Sequence, residues 1–282
     1  MKYFSKYSLF FALLVLVFSC SPKEEPTVLS AGRDNNLALG NPSAASTAAN
    51  NYLMEKSQFA LSYNNSKGTA NWVSWHLNSA WKGAAQRQDD FRLDADLPTD
   101  WYAVKTSDYT NSGFDRGHLC PSDDRDASQT DNSATFLMTN IMPQAPNNNQ
   151  QTWRFLEEYC RKLADEGNEM YIIAGGYGSG GINKNDDLVK TIANGKINVP
   201  ARVWKVILVL PNGSNDLSRI STATRVIAVD MPNTQDVTNK KWYEYRVTTN
   251  AIESKTGYNF FDKLPIAVQD AIEGKTDNVK IE

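Results

Sequence analysis

The residues in this chain best suited to chemistry stand together at Asp115-Arg116-Gly117-His118. His118 is one of only two histidines. An imidazole exchanges a proton near neutral pH, which makes it a natural general base. Alone, such a tetrapeptide is equally an ordinary polar turn, so its meaning rests on its surroundings. Downstream, Arg154, Glu157 and Arg161 recur three and four residues apart, a spacing that shares one helix face. Arg87 stands upstream in a stretch with turn chemistry, Arg87 to Pro98. Planar guanidinium groups such as those of Arg87 and Arg161 match phosphate geometry. The other histidine, His76, reads as a strand residue whose ring is satisfied.

The net charge of -3 argues against a protein that coats nucleic acid, which would be plainly basic. It permits an enzyme that grips phosphate with a local group of arginines. Lys2 and Lys6 precede an apolar run from Leu9 to Phe18, shorter than the ~20 residues of a membrane span, so the run reads as an export signal. It ends Val17-Phe18-Ser19-Cys20, which resembles the lipobox of bacterial lipoproteins. That resemblance implies membrane attachment through a lipidated Cys20 and an outer-membrane location, facing the periplasm or the cell surface. A plain secretory peptide is the alternative. The expected organisation is a signal peptide (1–20), a flexible tether (21–51) rich in Ser, Ala, Asn and Pro, and one folded domain (52–282). Cys120 and Cys160 lack Cys-x-x-Cys spacing, which disfavours structural zinc; they either pair in an oxidising compartment or stay as two buried thiols.

The elements that must position these groups are mostly strands. Phe59 to Tyr63, Asn71 to Leu77, Met170 to Ala174, Val203 to Leu210 and Arg225 to Val229 have strand composition, and Ala134 to Met142 reads as a buried strand closed by Pro143. Asn147 to Asn149 stand where a helix needs an N-cap, before helical periodicity from Gln150 to Leu163. Trp153, Leu156, Cys160 and Leu163 fall on its apolar face. Gly175 to Gly181 reads as a flexible turn and Thr249 to Ser254 as a capped helical turn. The expected fold class is α+β, a central antiparallel sheet with flanking helices.

Taken in order, Asp115 to His118, Asn140, Asn149-Gln150-Gln151-Thr152-Trp153, Glu157 and Arg161 resemble the DNA/RNA non-specific endonucleases of the ββα-metal (His-Me finger) fold. That family carries Asp-Arg-Gly-His on a hairpin strand, then an Asn, then Asn-Gln-x-x-Trp opening a helix with Glu and Arg one turn apart. The resemblance covers most of the chain after Tyr52. It implies His118 as general base, so activity is lost as pH falls through its pKa. It implies Asn149 as ligand of Mg2+, with Mn2+ a possible substitute, and Glu157 as a ligand acting through water. Arg161 and Arg87 would clamp the phosphate, Arg116 would bind substrate, and Asn140 would contact substrate or support the site. Asp115 would orient His118 or the hydrated metal. Phosphate contacts carry no sequence information, so DNA and RNA are the expected substrates. The rival readings are a phosphodiesterase restricted to one nucleic acid or nucleotide class, and a lipid-anchored nucleic-acid-binding or uptake protein without catalysis. Nothing in the sequence indicates an inhibitor protein or a homo-oligomer.

Overall fold

The computed structural model describes Met1 and residues 32–281. The export signal, Cys20 and residues 21–31 of the expected tether lie outside the described residues. Among the described residues no helix is long and apolar enough to cross a membrane.

In chain order the strands are β1 (Thr47–Ala48), β2 (Asn51–Glu55), β3 (Ala60–Asn64), β4 (Thr69–Leu77), β5 (Asp115–His118), β6 (Ile141–Gln144) and β7 (Asn168–Tyr177). Short ribbon strands β8 to β11 follow between residues 181 and 198, then β12 (Arg202–Pro211), β13 (Arg225–Pro232) and β14 (Arg246–Val247). The helices are α1 (Gln129–Ala134), α2 (Arg154–Asp165), α3 (Asp216–Arg219), α4 (Thr249–Thr256) and α5 (Ile266–Glu273). An eight-stranded antiparallel sheet runs β1-β2-β3-β4-β7-β12-β13-β14, and β5 pairs with β6 in a separate hairpin.

The sheet is apolar on both faces, which is why its central strands read as nearly continuous hydrophobic runs. Val73, Trp75, Leu77, Ile172, Ala174, Val203 and Ile207 face one way, against Leu156, Cys160 and Leu163 of α2. Trp72, Tyr171, Ile173, Trp204, Val206 and Leu208 face the other way, against Ile252 of α4, Phe260, Phe261 and Ile272 of α5. The alternation along each strand therefore sorts residues between two cores.

Three expectations are corrected. Ala134 to Met142 is not one strand: Ser128 caps α1 through its side chain, a 3-10 turn covers Met138 to Asn140, and β6 begins only at Ile141. The polar residues in the run are engaged elsewhere: Thr135 Oγ1 donates locally to Asn132 O at 2.7 Å, a kind of bond that competes with a strand ladder, and Thr139 Oγ1 donates to the distant Asp94 at 2.6 Å. Pro143 lies inside β6, tolerated because the hairpin has only two strands. Gly175 and Gly176 belong to β7; a Cβ at Gly175 would sit 2.8 Å from the Trp204 ring.

The third correction is the domain boundary, because residues 32–51 are packed rather than a tether. Leu39 and Ala45 are buried in the second core. Ser74 Oγ donates to Asn36 O at 2.6 Å and Trp72 Nε1 to Ser43 Oγ at 2.8 Å. Small and polar residues in this segment obscure the two apolar anchors. Cys120 and Cys160 are free and both buried, so they do not pair. Burial pushes each thiol up to about 12, which leaves them protonated and inert.

Deleting residues 1–51 should therefore cost roughly 3 kcal/mol or more relative to deleting residues 1–31, on the scale of losing one buried leucine plus its neighbours' hydrogen bonds. Equal urea midpoints for the two truncated proteins would return residues 32–51 to the status of a tether.

Candidate active site

The β5–β6 hairpin and the entrance of α2 close over one polar cavity of about 380 Å³. Arg87, Arg116, His118, Ser122, Asn149, Gln150, Arg154, Glu157 and Arg161 are among the residues that line it. Four arginines line it against three acids, Asp123, Glu157 and Glu158, a surplus of positive charge in a chain of net charge -3. The acidic surplus thus lies elsewhere, and this cavity attracts anions.

His118 faces Ile141 across the hairpin. Gly117 makes the hairpin possible: a Cβ there would lie 2.7 Å from the Cβ of Gln144. The His118 ring packs edge-on against Phe136, with centroids 4.9 Å apart, and 5.4 Å from Phe91. The guanidinium of Arg116 lies over Phe91 at 4.4 Å and that of Arg87 over Phe136 at 4.8 Å. These aromatic platforms hold two cations beside an imidazole. Burial first, then the charges of Arg87 and Arg116, push the His118 ring down to about 3, so it is neutral in the ligand-free protein. Its Nε2 is buried without a partner.

The three adjacent asparagines separate by their bonds. Asn147 Nδ2 donates to Gln235 O at 2.9 Å and Asn148 Nδ2 to Pro232 O at 2.8 Å, fastening the helix entrance to the region around the end of β13. Asn149 Nδ2 donates instead to Asp115 Oδ2 at 2.8 Å, and Gln150 Nε2 donates to the same oxygen at 2.8 Å. A carboxylate only accepts, so this bond sets the sense of the Asn149 amide and leaves its oxygen free. Asn149 is not an N-cap as expected; it lies in a wide π-type turn, Asn148 to Trp153, continuous with α2. Such turns redirect side chains out of helical register.

Glu157 and Arg161 do not pair with each other as an i,i+4 surface couple. Arg161 Nη1 lies 3.2 Å from Asp124 Oδ1, and the opposite oxygen of Asp124 accepts from Trp75 Nε1 at 3.0 Å. Glu157 Oε1 meets Lys205 Nζ at 3.3 Å. Lys205 rises from the sheet beneath α2, only 1% exposed, with its ammonium 4.1 Å from the centre of the Trp153 ring. Burial pushes the Glu157 carboxyl up to about 7 against the pull of Lys205 and Arg161.

Asn140 does not reach the cavity. It is fully buried; its amide donates to Cys120 O and Thr135 O, at 2.8 and 2.9 Å, and its oxygen accepts from Cys120 N at 2.9 Å. It shapes the chain after His118, and its whole amide is committed to backbone partners. Sequence reasoning missed Lys205, Asp124, Phe91 and Phe136. For Lys205 a signal was present, a lone cation inside the run Val203-Trp204-Lys205-Val206-Ile207. The others have no marker in the linear pattern.

A hairpin and a helix clasped over one polar cavity, on an antiparallel sheet, have the arrangement of the ββα fold. Residues 40–267 match the DNA/RNA non-specific endonucleases, and the chain belongs to that family. A nuclease of Nostoc sp. is 48% identical over 274 residues, 95% of this chain and 96% of its own. A nuclease of Syncephalastrum racemosum is 31% identical over 261 residues, 86% of this chain and 76% of its own. In fold, the chain resembles a chain of the EndoG/EndoGI complex, with a TM-score of 0.67 and 24% identity over 82% of this chain and 91% of that one. The protein is an endonuclease, a hydrolase of nucleic acids.

Two outcomes follow from the geometry. The ring signals of His118 should stay at their neutral positions down to pH 5 in an NMR titration, whereas an ordinary histidine is mostly protonated there. Because the folded pKa is depressed, the stability tied to His118 is complete above about 6.5 and drains away as pH falls toward 3. A midpoint near 6.5 would contradict the buried, cation-flanked ring. Lys205→Met should cost about 3 kcal/mol, because it strands Glu157 without its buried partner; an unchanged denaturation midpoint would show the pair to be idle.

Proposed function

We propose that the enzyme hydrolyses phosphodiester bonds in both DNA and RNA with little sequence or sugar preference, using His118 as general base and Mg2+ as cofactor. The observation that carries this reading is the convergence of His118, Asn149, Glu157, Arg87 and Arg161 on one cavity. The donor set suits Mg2+, since Asn149 presents an uncommitted amide oxygen and Glu157 a carboxylate, both hard ligands, with room in the cavity for water and phosphate. Asn149 would hold the ion directly and Glu157 through an intervening water, with Mn2+ able to replace it. The bound ion supplies charge neutralisation at the phosphate and at the departing alkoxide.

The side chains do the rest. The neutral His118 takes a proton from the attacking water, a task that an imidazolium cannot perform. Arg87 and Arg161 grip the phosphate oxygens and stabilise the charge that grows on them, each held from behind, Arg87 by Ser122 and Asp89 and Arg161 by Asp124. Arg116 extends the cationic wall toward the rest of the strand. Asp115 acts on Asn149 and Gln150 rather than on His118, so its role is to aim the metal-binding amide. Every proposed contact is to phosphate, so double and single strands fit alike. The apolar run before Cys20 supports export as a lipid-anchored protein.

His118→Ala should lower the rate on plasmid DNA and on RNA by roughly 10²- to 10⁴-fold without lowering the melting temperature. Asn149→Ala should abolish the response to Mg2+, and the wild-type rate should fall steeply with salt. Comparing plasmid, single-stranded DNA, RNA and a small phosphodiester separates a general nuclease from a restricted phosphodiesterase. Should His118→Ala cleave plasmid as fast as the unaltered protein, the proposed mechanism fails.

A further inference from the structure

On the face of the sheet opposite Lys205 and Glu157, His76 of β4 and Glu169 of β7 meet Asp34 and Asp216, with one potential ligand atom from each all within 4.8 Å of one another. We propose that His76 Nε2, Glu169 Oε2 and an Asp34 carboxylate oxygen bind a second divalent cation of the zinc type, remote from the nuclease cavity, with Asp216 supporting them. The proposal stands whether or not the catalytic roles above are right.

The spacing is that of a coordination shell. His76 Nε2 lies 3.3 Å from Glu169 Oε2 and 3.7 Å from Asp34 Oδ2. Ligands about 2.0–2.1 Å from a tetrahedral ion stand roughly 3.3 Å from each other. A ring nitrogen among carboxylates selects a transition cation over Mg2+, which takes oxygen ligands. His76 and Glu169 are completely buried, unlike the exposed acidic groups common on protein surfaces.

The surrounding groups resemble the outer layer of a metal site. Arg219 donates to Glu169 Oε1 and to Asp216 Oδ1, the latter at 2.6 Å, and the hydroxyl of Tyr171 donates to Asp216 Oδ2. Arg219 thereby turns Oε2 of Glu169 toward His76. Charge is left over, because three carboxylates face one guanidinium. A cavity of about 490 Å³ lined by Asp34, Tyr171 and Asp216 reaches the outer side of the cluster, the side from which an ion would approach the buried His76 and Glu169.

Without an ion, the Asp34 amide points at His76 Nδ1 from 3.4 Å, so Nε2 carries the ring proton and meets Glu169. The ion takes the place of that proton, which moves to Nδ1, and the long amide contact yields. The bound ion would then staple the segment around Asp34 to β4 and β7.

The test uses the full chain carrying Asn149→Ala, which removes the proposed Mg2+ ligand, stripped with chelator and titrated with ZnCl2 alone. One Zn2+ per chain should bind by calorimetry and raise the melting temperature. Adding Asp34→Asn, on a half-exposed residue whose change spares the core, should weaken binding at least tenfold and abolish the thermal shift. His76→Gln should do the same if it folds. Nuclease activity of Asp34→Asn alone should match that of the unaltered chain. If the Asn149→Ala chain binds no Zn2+, or Asp34→Asn binds it equally well, the cluster is an ion-pair network completed by Arg219 and the proposal is overturned.

Discussion

The site depends on a charge buried where charge is expensive. Lys205 stands in the middle of the sheet with its ammonium beneath α2, and removing an ion from water costs several kcal/mol unless a partner is close and well aligned. Glu157 and the faces of Trp153 and Trp75 supply that partner. The helix cannot slide or rotate over the sheet without breaking the arrangement. Trp153, Leu156, Cys160 and Leu163 give α2 its adhesion, and the ion pair gives it a register. With α2 held, the π-type turn at its start delivers Asn149 to the cavity, and Arg161 reaches Asp124.

The hairpin is joined to this frame from both strands, by Asp115 of β5 and by Gln144 of β6, whose Nε2 donates to Asn148 Oδ1 at 2.8 Å. Asp115 accepts from both Asn149 and Gln150, so segments 34 residues apart meet at one oxygen. Around His118 the logic is the reverse. Phe91 and Phe136 pack against the ring and leave it only partly open to the cavity, while Arg87 and Arg116 lie on those same aromatic faces. Desolvation first and positive charge second disfavour an imidazolium, so the two arginines that suit phosphate help burial keep the His118 ring unprotonated.

Strands β3, β4, β7, β12 and β13 were legible because a sheet covered on both faces writes its pattern directly into long apolar runs. The grouping of Asp115, His118, Asn149, Glu157 and Arg161 was legible from their types and spacing, and the structure brings them together at one cavity and the carboxylate beside it. What escaped was set by partners distant in sequence. Thr139 and Asn140 looked like parts of a strand until Asp94, Cys120 and Thr135 claimed their side chains. Leu39 and Ala45 were lost among small polar residues because two anchors have no periodicity. Lys205 looked like an interruption, since the sequence does not say that a glutamate lies above it.

The two buried thiols bear on how the enzyme comes into being. Cys120 lies two residues beyond His118 and Cys160 on the inner face of α2, yet neither is bonded nor easily ionised. No oxidant is needed to complete this core, and no reductant will open it. The cavity therefore assembles wherever the chain can collapse, in reducing or oxidising surroundings alike. A cell that makes such an enzyme cannot rely on redox chemistry to keep the nascent protein harmless. Protection of its own nucleic acids must therefore rest on something other than the state of these thiols.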